Sequence, residues 1–518
     1  MSRNALGREV PAQVNGFGNL TPFAGAWENT PLVRREKGSR TLPRLTKVVA
    51  SIEEAVRKVG LVNGMTISFH HHLREGDFVV NMVLDVLARM GFRDLVLAPS
   101  SLTTCHTPMI EHIRNGLIRR ISTSGIRGAL ADAISGGLMD IPVLIHSHGG
   151  RARAIETGEI SIDVAFLGVP SSDVYGNANG FSGPSACGSM GYAVVDARHS
   201  KKTILLTDFL GEYPNTPVSI HQDWVDHVVV VDKIGDPAGI AKGATRMTRD
   251  PRELLIARTA ADVIGASGYM EQGFSLQTGS GGASVAVTRF LRDMMLERGI
   301  TASFALGGIT SQIVKMHEEG LIKRLLDVQS FDLEAVRSLG TNRYHTEIDA
   351  SLYANPLNKG CVVNKLNVVI LSAMEIDTDF NVNVITGSDG VIRGASGGHS
   401  DTAIGSGLSI IVAPLIRGRT PTVIDKVTTV ITPGETVDVL VTDQGIAVNP
   451  RRPEVRDRLK AARLPVYDIN ELRERAEQAT GKPAPVRFGD KIVGIVEYRD
   501  GTILDVIRQA TAMGGEEE

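Results

Sequence analysis

An internal repeat of helix and strand patterns limits the possible folds of this 518-residue chain more than any other feature. The order helix, strand, loop, helix, strand is predicted for residues 51–99 and again for residues 261–308. "NGLIRRI" (115–121) follows the first copy, and "EGLIKRL" (319–325) follows the second. Any two α/β units share such an order of elements, so the pattern alone does not establish a duplication.

Polar loop residues strengthen the repeat because they recur at a constant spacing. They are Asp173, Asn177 and Asn179 in the first half and Asp377, Asn381 and Asn383 in the second. Each pair is separated by 204 positions, the same offset that separates Gly116 from Gly320. This constancy favours two related domains. Glycine, proline and charged residues interrupt the apolar periodicity at 234–254, where we place the boundary.

The predicted elements alternate between helix and strand in each half. "SIEEAVRKV" and "FVVNMVLDVLARM" have helical spacing, whereas "GMTISF" and "DLVLAP" have the pattern of short buried strands. Such alternation predicts an α/β fold with a mainly parallel sheet flanked by helices in each domain. We predict an N-terminal arm at 1–42, a first domain at 43–240 and a second domain with a C-terminal extension at 250–518.

Composition excludes several classes of function. The formal charge of −3 comes from 55 basic and 58 acidic residues, which is a poor match to a nucleic-acid backbone. Cys105, Cys187 and Cys361 are widely separated, as expected of buried thiols in a reducing compartment. The N-terminus lacks the apolar segment of a signal peptide, and no apolar run is long enough to span a membrane, so we expect a cytoplasmic protein.

The segment "SFHHHLREGD" (68–77) places three histidines beside a turn. In an extended strand His70 and His72 point to one face and His71 to the other, so the three do not form a compact tetrahedral metal site. We therefore predict no metal. Two interpretations stay open, a partly cationic wall for an anionic substrate, with Arg74 beside it, and a set of hydrogen-bonded structural histidines.

In the second half, "SLQTGSGGAS" occupies the corresponding position at the end of a strand and the start of a helix. Gly279, Ser280, Gly281 and Gly282 form a loop whose backbone N–H groups could point together at an anion or a polarised carbonyl. A tight turn without a ligand is the alternative.

A second glycine cluster, "IRGASGGHSDTAIGSG", precedes the apolar strand "LSIIVAPL". Gly397 and Gly398 offer amide donors for an oxyanion, and His399 and Asp401 could orient or titrate. Arg393 could bind a carboxylate through both guanidinium nitrogens. A cramped crossover against the sheet is the alternative. The counterpart "NGFSGPSACGSMG" (179–191) lacks the arginine and histidine, which suggests unequal roles for the two halves.

Known catalytic signatures are missing from the sequence. We find no Walker loop, no zinc-protease motif and no dinucleotide fingerprint. Hydride transfer and phosphoryl transfer are therefore disfavoured.

Several long segments resemble the coenzyme A transferase superfamily and, within it, the family of citrate lyase α subunits. They are "RARAIETGEISIDVAFLGVPSSDVYGNANG", "SLQTGSGGAS", "YANPLNKGCVVNKLNVVILSAMEIDTDFNVN" and "GASGGHSDTA". The resemblance implies two domains of the NagB/RpiA/CoA-transferase type. It also implies exchange of acetyl for citryl on the thioester of an acyl carrier protein or CoA, with release of acetate.

One departure from the related transferases bears on mechanism. Some of them carry a glutamate that forms a covalent thioester with the enzyme, whereas this chain keeps Thr310 but has Ser311 at the matching place. The resemblance then implies that a citrate carboxylate attacks the acetyl thioester directly in a ternary complex and forms a mixed anhydride. We expect Ser311 to be a site residue. Glu375 is expected to be structural or orienting.

Citrate is close to a trianion at neutral pH, and arginine pairs with carboxylates better than lysine does. Arg393, Arg74 and Arg343 are therefore candidates for citrate binding, with His70 and His72 as helpers. An ordinary surface role is the alternative for each arginine.

The resemblance also implies partners and substrates. These are a β (lyase) subunit, a γ acyl-carrier subunit with a CoA-like prosthetic arm, citrate, acetate and acetyl-CoA, in a larger complex with a homo-oligomeric core. No cofactor is expected to be bound covalently to this chain. Alternatives are a free-standing acyl-CoA:carboxylate transferase with a covalent glutamate and a non-catalytic ligand-binding scaffold on the same fold.

Overall fold

Each half of the chain builds one large sheet in the computed structural model, which describes residues 2–27, 45–242, 248–279 and 281–510. The first sheet has ten strands, in the spatial order Ile503–Ala510, Phe488–Glu497, Val143–Ile145, Ile118–Thr123, Leu95–Leu97, Thr66–Ser68, Val164–Val169, Lys202–Thr207, His227–Val230 and Val48–Val49. The second has nine, in the order His345–Glu347, Leu325–Ser330, Phe304–Ile309, Ser275–Thr278, Val368–Ser372, Leu408–Val412, Val439–Thr442, Gly445–Val448 and Val466–Tyr467.

The two sheets share one topology. From the central strand, Thr66–Ser68 or Ser275–Thr278, three successive strands extend the sheet in one direction. The chain then crosses to the other side of the central strand and adds the next three. Strand pairing is parallel throughout, apart from the C-terminal hairpin in the first sheet and one hairpin in the second. The predicted α/β class with two related, mainly parallel sheets is confirmed.

Helices cover the faces of both sheets. Those of the first half are Ile52–Val59, Val79–Arg89, Met109–Arg114, Ala129–Ser135, His148–Thr157 and Gly191–His199. Those of the second are Pro251–Ser267, Gly282–Arg298, Ser311–Glu318, Leu333–Thr341, Ala350–Ala354, His399–Gly405, Pro453–Ala461 and Ile469–Thr480. The predicted Ser51 cap is present, because its hydroxyl accepts from the Glu54 amide at 3.2 Å. No described helix is both long and apolar enough to cross a bilayer.

The repeated polar loops have matching hydrogen bonds. The Asp173 carboxylate accepts from the Asn177 amide at 3.1 Å and from its side chain at 2.8 Å. The Asp377 carboxylate accepts from the Asn381 amide at 2.9 Å and from its side chain at 3.1 Å. The 204-residue offset therefore corresponds to one loop geometry built twice.

Both ends of the described chain belong to the first half. Val10 and Phe23, in the described part of the arm, are buried, and Val10 packs on Ile495 and Ile503 of the C-terminal hairpin. That hairpin hydrogen-bonds with Val143–Ile145. The predicted division assigns the hairpin to an extension of the second domain, whereas in the structure it completes the first sheet.

Candidate active site

The two halves face each other through the ends of their strands. The Gln329 side chain donates to the His71 carbonyl at 3.2 Å across the interface. Gly125 pairs with Ala395 in an isolated bridge. Since ligands of α/β folds bind at the carboxyl ends of parallel strands, this junction is the candidate active site. The glycine loops and the histidines meet here, as predicted for a shared cleft.

His71, His72 and His148 surround Tyr192, and His70 packs against His72; we call these four histidines the histidine wall. The Tyr192 ring lies 4.9 Å from His71, 5.4 Å from His72 and 4.6 Å from His148, measured between ring centroids. His70 and His72 lie on one side, 4.5 Å apart. The His71 ring is hydrogen-bonded to the Ser100 hydroxyl at 2.6 Å.

The histidine wall is uncharged. Burial lowers the pKa of His70, lowers those of His71 and His72 well below the usual value, and lowers the pKa of His148 to about 3. The hypothesis of a cationic wall is therefore wrong for these rings, because a buried imidazolium has no water to stabilise it. Both ring nitrogens of His72 lack a hydrogen-bond partner among the described residues, so the wall keeps unused polar atoms.

Positive charge comes instead from two arginines at the ends of first-half strands. Arg74 stacks on Phe331 of the second half, with the guanidinium carbon 5.2 Å from the ring centroid. Arg127 follows Ile126, whose amide donates to the Gly394 carbonyl at 3.3 Å. Burial lowers the pKa of Arg127 and, with the nearby positive charge of Arg127, lowers that of Arg74 to about 10.

Within the described ranges, neither Arg74 nor Arg127 forms an ion pair. Glu75 is near enough for its charge to raise the pKa of both, although burial outweighs it. Two half-buried cations with only this partial compensation attract an anionic ligand. Arg74 was predicted from the sequence; Arg127 was not.

The other two candidate arginines have different surroundings. Arg393 is half-exposed and already paired with Asp389. Arg343 is exposed and stacks on its neighbour Tyr344, 4.6 Å from the ring centroid. The geometry contradicts a citrate-binding role for both, because one guanidinium is neutralised and the other lies on an open surface.

The second glycine cluster forms a turn around Gly397 and Gly398, which we call the amide nest. Gly397 has φ +56°, and Gly398 has φ −95° and ψ 18°. Successive residues of opposite hand point their N–H groups to one side. Within the part of the chain that the structure describes, the amides of Gly397 and Gly398 have no protein acceptor. The predicted oxyanion donors are thus available for a ligand.

His399 holds this turn in place rather than titrating. Its Nδ1 is 2.6 Å from the Thr432 hydroxyl, and its Nε2 is 2.9 Å from the Ser372 carbonyl. The carbonyl only accepts, so the hydrogen is on Nε2 and the Thr432 hydroxyl donates to Nδ1. Burial lowers the pKa of His399 to about 4. Of the two roles expected for His399, orienting or titrating, these hydrogen bonds agree with orienting.

Asp401 fastens the amide nest to the first half. Its carboxylate accepts from the Ser147 hydroxyl at 2.9 Å and from the Gly149 amide at 2.8 Å. Arg499 of the C-terminal hairpin pairs with it at 3.2 Å. Because these donors start the helix His148–Thr157, Asp401 fixes His148 beside Gly397, whose carbonyl accepts from the His148 amide at 2.8 Å.

The first glycine loop lies next to the amide nest. A Cβ at Gly281 would overlap the hydroxyl of Ser372, the residue whose carbonyl binds His399. The Gly279 amide donates to the Ile370 carbonyl at 2.6 Å, so it is not free for a ligand and its predicted donor role is wrong. Gly281 and Gly282 begin a 17-residue helix whose N-terminus attracts anions. Ser280 lies outside the described residues.

Ser311 begins the helix Ser311–Glu318, and its amide donates to Asp332 at 2.6 Å. The preceding Thr310 is buried, and its hydroxyl has no partner among the described residues. Glu375 accepts from the Asn383 side chain at 2.8 Å and from the Thr428 amide at 2.9 Å, which agrees with an orienting role. A catalytic role of Ser311 stays a prediction.

Sequence reasoning missed several residues of this junction. These are Arg127, His148, Tyr192, Gln277 and Tyr353. A signal existed for the first two, because each follows a strand of the first sheet and lies beside glycine. The other three come from a helix or from inside a strand and have no local signature. The described residues contain no cluster of three or more potential metal ligands.

Known proteins resemble this chain over nearly its whole length. The family profile described as citrate lyase, alpha subunit (CitF) matches residues 45–510. The citrate lyase alpha chain of Klebsiella pneumoniae is 61% identical over 95% of this chain and 96% of its own length. That of Escherichia coli is 59% identical over 93% and 94%.

Solved structures show the same relation. A protein of Streptococcus mutans assigned as the alpha subunit of citrate lyase, in complex with citrate, has a TM-score of 0.94 and 54% identity, covering 98% of this chain and all of its own. A Pseudomonas malonate decarboxylase hetero-tetramer has a TM-score of 0.62 at 16% identity, covering 84% of this chain and 87% of its own, and shares the fold alone. The chain therefore belongs to the citrate lyase α subunit family.

Proposed function

We propose that this chain is the transferase subunit of a citrate lyase and exchanges acetyl for citryl on a carrier thioester. The observation that carries the proposal is that two half-buried arginines, which form no ion pair within the described residues, lie with the amide nest at one interdomain junction. The first feature suits a polycarboxylate. The second suits the tetrahedral oxyanion of acyl transfer.

The reaction needs no nucleophile from the protein. A citrate carboxylate oxygen attacks the acetyl thioester carbonyl, the C–S bond breaks, and a mixed anhydride and the carrier thiolate result. The thiolate then attacks the citryl carbonyl of the anhydride, the anhydride C–O bond breaks, and acetate leaves. Charge and atoms balance without a proton, which agrees with a site whose histidines stay neutral.

Three observations support this ternary route over a covalent glutamate. Position 311 is serine, and Glu375 is occupied by donors from Asn383 and Thr428. Glu347 is likewise occupied, because Ser219 and the Met190 amide both donate to it. These glutamates are anchored and not poised to attack a thioester.

The N-terminus of the helix Gly282–Arg298 is placed to receive a phosphate of CoA or of a CoA-like carrier arm. We therefore propose that a γ acyl-carrier subunit is the substrate and that a β lyase subunit uses the citryl thioester as its own substrate. The proposal also includes a cytoplasmic, homo-oligomeric assembly.

An exchange assay tests the function. The full chain is incubated with acetyl-CoA and labelled citrate, and labelled citryl-CoA and free acetate are measured over time. We expect exchange with a sequential kinetic pattern. Hydroxylamine or borohydride trapping should label no glutamate. A stoichiometric glutamyl thioester that forms and decays at the turnover rate contradicts the ternary route.

Arginine variants test the site. Arg127→Ala removes a charged hydrogen-bond donor worth about 1.5–3 kcal/mol, so the KM for citrate should rise about 10-fold to 100-fold. Arg393→Ala is the matched control, because its guanidinium is half-exposed and already paired with Asp389. An equal rise in both variants, or none in Arg127→Ala, rejects this assignment.

A further inference from the structure

Tyr353 is a buried residue of the junction that the reaction above does not use. It lies in the short helix Ala350–Ala354 and is 2% exposed. Its hydroxyl oxygen accepts a hydrogen bond from the Gln277 side chain at 2.8 Å. Gln277 belongs to the central strand of the second sheet, so the ring is held between a helix and that strand.

The phenolic hydrogen is unused. A phenol oxygen both accepts and donates, and within the described ranges Tyr353 donates to no protein acceptor. Because Gln277 occupies one acceptor position, the O–H bond points away from it. Buried tyrosines normally find an acceptor, so the O–H of Tyr353 is available to a ligand atom that enters the junction.

The free O–H lies beside the amide nest. A Cβ added at Gly398 would overlap the Tyr353 hydroxyl oxygen, so this hydroxyl is in contact with Gly398. The Gly398 amide and the buried Gln277 Oε1 atom both lack a partner among the described residues. Tyr353 thus contacts two residues that each keep an unsatisfied polar group.

The phenol keeps its proton. Burial raises the pKa of Tyr353, and the nearby carboxylate of Asp401 raises it further, whereas the Gln277 hydrogen bond lowers it. At neutral pH the group is a neutral hydrogen-bond donor. It is suited to stabilising negative charge that develops on an oxygen.

We propose that Tyr353 is a catalytic residue whose O–H donates to the thioester-derived oxyanion together with the Gly398 amide. Gln277 is the positioning residue that turns this O–H toward the oxyanion. The inference rests on the proposed transferase function. It adds a side-chain donor to an oxyanion hole for which the sequence predicted only backbone donors.

Tyr353→Phe tests it, because the change removes only the hydroxyl. Loss of one oxyanion donor lowers kcat about 10²-fold to 10³-fold, while the KM for citrate should stay within about twofold, since the donor acts on the transition state. Tyr498→Phe is the matched control. Tyr498 is another buried tyrosine without a hydroxyl partner in the described chain, and it packs on Phe23.

Gln277→Leu provides a second variant and should lower kcat about tenfold in the same direction, again with little change in KM. Thermal unfolding of every variant identifies a folding defect. Full kcat in a folded Tyr353→Phe protein overturns the inference while wild-type exchange still supports the proposed function. A loss confined to citrate KM also overturns it. No exchange by the wild type overturns both.

Discussion

The small-residue loops of the two halves occupy equivalent places, but their backbone amides differ in hydrogen bonding. In the first half, the amides of Cys187 and Gly188 both donate to the Gly180 carbonyl at 2.8 Å. The Met190 amide donates to Glu347 across the interface. In the second half, the amides of Gly397 and Gly398 have no acceptor in the described residues.

The two halves of the duplicated fold therefore contribute different groups to the junction. The first half closes its own loop against the second half and contributes charged and aromatic side chains, Arg74, Arg127 and Tyr192, to the junction. The second half keeps its loop open and contributes backbone donors. Under the proposed function, the first half would bind the anionic acid and the second would stabilise the reacting carbonyl.

The largest expected effect comes from adding a side chain to the glycine loop of the second half. In Gly398→Ala the added methyl overlaps the Tyr353 hydroxyl and displaces the amide nest, so kcat should fall at least about 100-fold. Gly211→Ala in the first half is the control, because an added Cβ there meets its nearest atom at 3.4 Å. Single-turnover kinetics measure the effect. Unchanged kcat in folded Gly398→Ala rejects the assignment of the nest.

A smaller effect tests whether the halves are equivalent away from the site. Asp173→Ala and Asp377→Ala each remove a carboxylate that satisfies two amides and an asparagine side chain in its own loop. Each should lower the free energy of unfolding by about 1–3 kcal/mol. Denaturant titration of both variants measures it. A large loss of unfolding free energy in one variant and none in the other would contradict the structural equivalence of the two loops.

The smallest effect concerns pH. His71, His72, His148 and His399 have lowered pKa values in the folded protein, so each takes up a proton on unfolding below about pH 6.5, its unfolded pKa. Glu347, with its pKa raised by burial to about 7, releases one between about pH 4.5 and 7. The contribution of these histidines to stability should be complete above pH 6.5 and fall as the pH drops toward 4, while Glu347 offsets part of that fall.

His148→Gln should reduce the proton uptake on unfolding by about one proton. The slope of the unfolding free energy against pH then falls by about 1.4 kcal/mol per pH unit. Proton uptake during denaturant unfolding at pH 5.5 measures it directly. Equal uptake by wild type and variant would show that His148 is charged in the folded protein.

The fold was largely predictable because its signals are local. Apolar periodicity located the helix Val79–Arg89 and the strand Leu95–Leu97 to within one or two residues. The offset of 204 predicted two loops with the same hydrogen bonds, as at Asp173 and Asp377. The C-terminal hairpin was placed with the second half because sheet pairing is long-range, and nothing near residue 490 indicates Val143–Ile145 as its partner.

The sequence by itself determined the repeat, the order of the strands along the chain and the positions of the glycine loops. The helix, strand and glycine patterns behind them each span only a few residues. Only the tertiary structure decided the chemistry of the junction. It buried the histidines so that they stay neutral and paired Arg393 with Asp389 at the surface. It also brought Tyr353 to Gly398. Charge state and donor availability depend on burial and on partners far away in the chain, which no local pattern encodes.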